Sequence, residues 1–167
     1  MYEIPSLDWL SDTSVYEVNR IKPHSDHKYY LTKQEAEKEK MTLRQSLNGN
    51  WKFNFALNPN ARVKEFYKSD FDCKCWSNID VPGHIQLQGY DNPQYINTMY
   101  PWDGHSNLKP PEISEEYNPV GSYVKYFFVN DNIKRESLYI SFQGVETAFY
   151  VWLNGEFIGY SEDKIGR

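Results

Sequence analysis

The chain has 167 residues, a net charge of −5, and 14 Tyr, 9 Phe and 5 Trp that bring its aromatic share to 17%. That length suits one domain, and rings together with β-branched residues favour half-buried strands. The charges are interleaved with no basic stripe, which argues against nucleic acid as a partner, and no apolar run is long enough for a membrane-spanning helix.

The first 43 residues carry few strand-like runs and read as an irregular arm. MYEIPSLDWLSD lacks the basic start and long apolar stretch of a secretory signal. With two cysteines in all, Cys73 and Cys75, the expected location is the cytoplasm. Thr32 opens T-K-Q-E, a capping box with Glu35 at the third helical position, but KQEAEKEK is nearly all charge and predicts a short solvated helix. His24 and His27 have no third ligand nearby and read as solvated polar residues rather than a metal site.

At Arg44 the texture changes. RQSLNGNWKFNFAL sets Trp51, Phe53 and Phe55 against Lys52, Asn54 and Ala56, a half-buried strand after a turn at Asn48-Gly49. Residues 58–76 read as a polar connector with a helical turn around Val63–Tyr67, and SNIDVP as a short strand ending at Pro82. An irregular run then extends to Pro119, broken by Pro93, Pro101, Pro110 and Pro111. Disordered segments are poor in rings, whereas this run holds Tyr90, Tyr95, Tyr100, Trp102 and Tyr117. Packing of those rings predicts an ordered shelf of loop, and loops of such length are commonly functional.

Period-two texture returns in GSYVKYFFV, residues 121–129, and after the turn DNIKRE in SLYISFQG, residues 137–144. TAFYVWLNGEFIGYSED is two strands joined at Asn154-Gly155, a strong hairpin signal. Strands in succession without helices between them predict an antiparallel sandwich or barrel. The last hairpin strand is left without a following strand in SEDKIGR, so an incomplete domain is expected.

SLNGNWKFNF, VPGHIQLQGYDNPQYINTMYPWDG, NPVGSY and FQGVETAFYVWLNGEFIGYSED occur in that order. Together they resemble the amino-terminal jelly-roll domain of the bacterial β-galactosidases of glycoside hydrolase family 2. The resemblance implies an all-β, galactose-binding-like antiparallel sandwich, truncated at its C-terminal end, over residues 44–167, with 1–43 as an arm. It implies a larger enzyme, with immunoglobulin-like domains and a TIM barrel, that hydrolyses terminal β-galactosides such as lactose with retention. Retention uses two carboxyl groups about 5 Å apart, which the family places on the barrel. No catalytic residue is therefore expected here, and Glu115, Glu116 and Glu146 read as solvated charges. Asn97, in YINTMYP, matches the family's galactose-contacting asparagine, and its amide offers both donors and an acceptor to sugar hydroxyls. Tyr100 and Trp102 are secondary candidates, able to stack on a sugar face. His84 departs from the pattern, standing where many members carry tryptophan. Magnesium and sodium are implied for the whole enzyme, with neither held by this chain, and so is a homo-oligomer in which the arm takes part. The alternatives are a stand-alone carbohydrate-binding module, or the same domain of a β-glucuronidase or β-mannosidase.

Overall fold

The computed structural model describes residues 4–22, 28–93, 102, 107–134 and 137–162. Their strands are β1 (Glu17–Val18), β2 (Gly49–Ala56), β3 (Ser77–Val81), β4 (Val120–Val124), β5 (Phe149–Leu153) and β6 (Glu156–Ser161). They form two antiparallel sheets of three, in the orders β3-β2-β4 and β1-β6-β5. The only α-helix among the described residues is α1 (Lys33–Glu37). The all-β expectation holds.

β2 organises the first sheet because its alternation puts rings on one face. Phe53 is 1% exposed and lies opposite Ser77 of β3 and Tyr123 of β4. Its ring meets those of Tyr123 at 4.8 Å and Tyr90 at 4.6 Å. Ile79, opposite Trp51, is buried beside it. The packing is tight enough to need a glycine in β4: a Cβ on Gly121 would sit 2.7 Å from the Phe53 ring and 2.8 Å from the Tyr123 ring.

The second sheet is built on the predicted hairpin. Asn154 and Gly155 take positive φ values of 51° and 90°, as a two-residue turn matched to strand twist requires. Tyr160, 2% exposed, lies 4.5 Å from Tyr150 and 5.2 Å from Trp9, centroid to centroid. Trp9 comes from the arm and also meets Phe157. Ser6 caps the turn Leu7–Ser11 that carries Trp9, and the Ser6 carbonyl accepts from Tyr150 Oη at 2.7 Å. With β1 paired to β6, the arm is ordered by its neighbours rather than by a core of its own.

Three expectations are corrected. Residues 58–76 are not a polar spacer. Tyr67 stacks on Trp152 at 4.9 Å, Phe66 touches both Trp152 and Trp76, and Phe71 meets Trp76. Trp76 and Cys73 are buried, so this connector joins the two sheets through rings. Where a helical turn was expected around Val63–Tyr67, the chain does turn, through hydrogen bonds from the Lys68 amide to Glu65 and from the Phe71 amide to Lys68, with Glu65 at a φ of 56°. The strand anticipated over 121–129 pairs only as far as Val124; beyond it Lys125 Nζ donates to the Asn50 carbonyl at 2.8 Å in place of a ladder. Residues 137–144 form no ladder at all. Strand propensity is expressed only where a neighbour supplies backbone partners, and none of the described strands does so there. The capping box is real in one half: Thr32 accepts from the Glu35 amide, but the Glu35 carboxylate accepts from Leu31, one residue before the cap.

Burial pushes the Tyr150 hydroxyl up to about 12. Tyr160 is raised further, first by burial and then by its hydrogen bond to the Glu162 carboxylate. The ordinary value is near 10, so above that pH the unfolded chain releases protons that the folded chain retains, and stability falls with pH. Urea unfolding of the chain should therefore show a midpoint insensitive to these groups below about pH 10 that declines toward pH 12. The Tyr150→Phe variant should decline less, as tyrosinate absorbance will report. Trp9→Ala should lower stability by about 2–3 kcal/mol, under the full range for a wholly buried indole because Trp9 is half-buried.

Candidate functional site

The irregular run leaves β3 at Val81 and returns at β4, and its described parts are fixed at both ends. Next to β3, the turn Ile85–Gln88 aims the Gln88 amide back at Asp80. Gln88 Oε1 accepts from the Asp80 amide at 2.8 Å, and Nε2 donates to the Asp80 carbonyl at 3.0 Å. A Cβ on Gly83 would lie 2.6 Å from Gln88 Nε2, so glycine leaves room for this pair of hydrogen bonds. His84 sits at the start of the turn, exposed, with no side-chain cap bond. The departure from tryptophan thus falls on a surface position. Tyr90 then drops its ring onto Phe53 and Phe55, tying the run to β2.

The far end is held by one residue. The Tyr117 hydroxyl donates to the Asp91 carboxylate, and the Tyr117 carbonyl accepts from Trp102 Nε1 at 2.7 Å. Asp91 and Trp102 both have positive φ, 60° and 66°. Non-glycine residues adopt that region only where surroundings hold them, and such positions cluster at functional sites. Tyr117 is itself anchored: its amide donates to Ser114 Oγ, and the next amide, of Asn118, donates to the Leu57 carbonyl just past β2. Both ends of the segment between residues 91 and 102 therefore trace to β2.

Trp102 is half-buried and its indole nitrogen is engaged with backbone, which fixes the loop instead of leaving that group for a ligand. Asn97 and Tyr100 lie outside the described residues, as do His24 and His27. Glu115, Glu116 and Glu146 are exposed. Cys73 is buried and Cys75 exposed, both as thiols. No group of three His, Cys, Asp or Glu residues comes together among the described residues, and none of their helices is long and apolar enough to cross a membrane. A depression of about 200 Å³ lies at the other end of β2, lined by Trp51, Lys52, Asn78, Lys125 and Tyr126 among others. It is smaller than usual small-molecule sites of roughly 300–1,000 Å³, and its lining contains no carboxylate. The Asp91–Tyr117–Trp102 link escaped sequence reading. Its only signal was the concentration of rings, which does not say which ring reaches which residue.

The polar side chains described in this run, Gln88, Asp91, Trp102 and Tyr117, are engaged in fastening it to an all-β scaffold. The chain belongs to glycosyl hydrolases family 2: the sequence model of that family's sugar binding domain matches residues 44–166. It is 67% identical over 160 residues to a beta-galactosidase of Halalkalibacterium halodurans, covering 95% of this chain and 16% of that protein. It is 59% identical over 160 residues to a beta-galactosidase of Clostridium acetobutylicum, covering 95% and 18%. A beta-galactosidase large subunit of Latilactobacillus sakei is 42% identical over 172 residues, covering 96% and 28%. The chain thus spans from about a sixth to just over a quarter of the length of these relatives.

Tyr117→Phe removes a hydrogen bond to a charged acceptor while keeping the ring. It should destabilise the chain by about 1–2 kcal/mol in urea unfolding, the partly exposed setting placing it at the lower end for charged partners.

Proposed function

We propose that this chain acts as the sugar-binding domain of a β-galactosidase, forming one wall of the galactose pocket while catalytic carboxyl groups come from polypeptide outside it. The observation that carries this reading is the 67% identity to a beta-galactosidase across 95% of the chain. A wall residue must be placed to well within an ångström to favour a transition state over a ground state. The double anchoring of residues 91 and 102 through Tyr117 supports such a use of the loop.

On this reading Asn97 directs its amide to a galactose hydroxyl, and Tyr100 and Trp102 shape the loop beside it. The substrate is a terminal β-galactoside of the lactose type, cleaved with retention by paired carboxyl groups about 5 Å apart. The fold is the family's jelly roll, working in the cytoplasm within a homo-oligomer. Magnesium and sodium enter this reading only as ions of the whole enzyme.

Four measurements test the reading. The 167-residue chain alone should not hydrolyse a chromogenic galactoside and should bind galactose too weakly to titrate at millimolar concentration. Turnover by it would refute the division of labour, and tight binding would favour a stand-alone module. Joined to the Halalkalibacterium halodurans relative in place of its matching 160 residues, it should give an active enzyme. In that chimera Asn97→Ala should lower kcat/KM by roughly 10- to 100-fold, corresponding to a lost hydrogen bond of about 1.5–3 kcal/mol in a dry pocket. Unchanged kinetics would remove Asn97 from the site.

A further inference from the structure

Tyr117 carries two fastenings whose partners are well separated in sequence. Its hydroxyl donates to the Asp91 carboxylate, and its backbone carbonyl accepts from Trp102 Nε1 at 2.7 Å. Those two partners bracket the segment 92–101, and Asn97 lies near the midpoint of that segment in sequence. One residue outside the segment therefore holds a bond to each of its ends.

Tyr117 is itself braced on both sides. Asn58 Nδ2 donates to the Glu116 carbonyl at 3.4 Å, and the Asn118 amide donates to the Leu57 carbonyl at 2.9 Å. Asn58 is fixed in turn, since its Oδ1 accepts from the Ala61 amide at 2.9 Å. The flanking residues are thus tied to the chain just past β2. On the other side, Tyr90 precedes Asp91 and packs its ring on Phe53 and Phe55 of β2. The Tyr117–Asp91 bond closes a cycle that leaves β2 at Leu57 and returns to it at Phe53. A closed cycle fixes its members more tightly than an open chain, because moving one strains the others. The ring contacts that join the two sheets run elsewhere, through Trp152, Phe66 and Trp76. The cycle at Tyr117 is local, and what it holds is the loop.

On the reading that Asn97 contacts the sugar, we infer that Tyr117 is a positioning residue for galactoside cleavage. By bonding Asp91 and Trp102 it sets the placement of the segment between them and, through that segment, of the Asn97 amide. Tyr117 touches no substrate in this role. It acts on the transition state only through Asn97, whose amide is ordered before the sugar arrives. A misplaced amide can still meet a bound sugar but follows its changing shape less well, so untying the loop lowers kcat more than it alters KM.

The bond to Asp91 is the one that a side-chain change removes cleanly. In the chimera with the Halalkalibacterium halodurans relative, assayed well below its Tm, Tyr117→Phe should lower kcat by about 5- to 10-fold and change KM by less than about twofold. Asp91→Ala should match it. Asp91→Asn, whose Oδ1 still accepts from the phenol, should recover most of that loss. In an Asn97→Ala background Tyr117→Phe should have little further effect on kcat, because the group it places is gone. A purely structural role would lower Tm while leaving kcat per folded enzyme unchanged, or would lower kcat equally in both backgrounds, and either result overturns the inference. Tyr117→Phe silent where Asn97→Ala is costly overturns it too, with the galactose-pocket reading left standing. If Asn97→Ala is itself silent, that reading falls and the positioning role falls with it.

Discussion

The packing of rings around Tyr160 is the contact on which the rest of the molecule depends. It gathers three stretches far apart in sequence: Trp9 from the arm, the β5–β6 hairpin, and through Trp152 the Phe66–Tyr67 turn of the connector. The connector then passes the contact through Phe66 to Trp76, one residue before β3. Each ring pair contributes of order 1 kcal/mol beyond the area it buries. Their chief effect is geometric, since ring faces and edges fix relative orientation where aliphatic contacts would not. This suits a chain in which few aliphatic residues are buried: Ile79 and Ala56 are the only such side chains in the described core, the rest being rings and Cys73.

Local signals in the sequence translated well where the structure is itself local. The alternation in WKFNF gives β2, and Asn154-Gly155 gives the hairpin turn, because both are set by neighbouring residues and by φ alone. The connector was misjudged because Phe66, Tyr67, Phe71 and Trp76 follow no period. Each serves a different neighbour, so no single face collects them. Residues 137–144 have the composition of a strand, yet a strand is a relation between two segments, and composition specifies one of them. In the loop, Tyr90, Trp102 and Tyr117 do pack or bond as the concentration of rings suggested. The loop's fastening was not legible, because the Tyr117–Asp91 bond spans 26 positions and depends on backbone angles that no side-chain pattern announces.

The described carboxylates are engaged in structure or exposed to solvent. A general acid active near neutrality must be held protonated, and desolvation is the usual means. Glu115, Glu116 and Glu146 are exposed. The carboxyls that hydrogen bonds do shift move the opposite way: Asp12 is lowered by Ser14, and Glu35 by Thr42 and the Leu31 amide. Asp91 accepts a phenol proton from Tyr117 and is committed to holding the loop. These acids hold turns and the loop in place through hydrogen bonds.

The same scaffold therefore answers two different demands from its two ends. Near the end of β2, at Ala56 and Leu57, backbone and side-chain bonds converge on Tyr117 and make the root of the loop rigid. Near its start, at Gly49 and Asn50, β2 still pairs with β3 but no longer with β4; Lys125 Nζ takes the Asn50 carbonyl, and Gln45 takes the Phe128 carbonyl and the Asn130 amide. Side-chain substitutes of that sort saturate backbone groups but cannot cover apolar surface. Phe128 illustrates the difference: its carbonyl is bonded while its ring is almost wholly exposed.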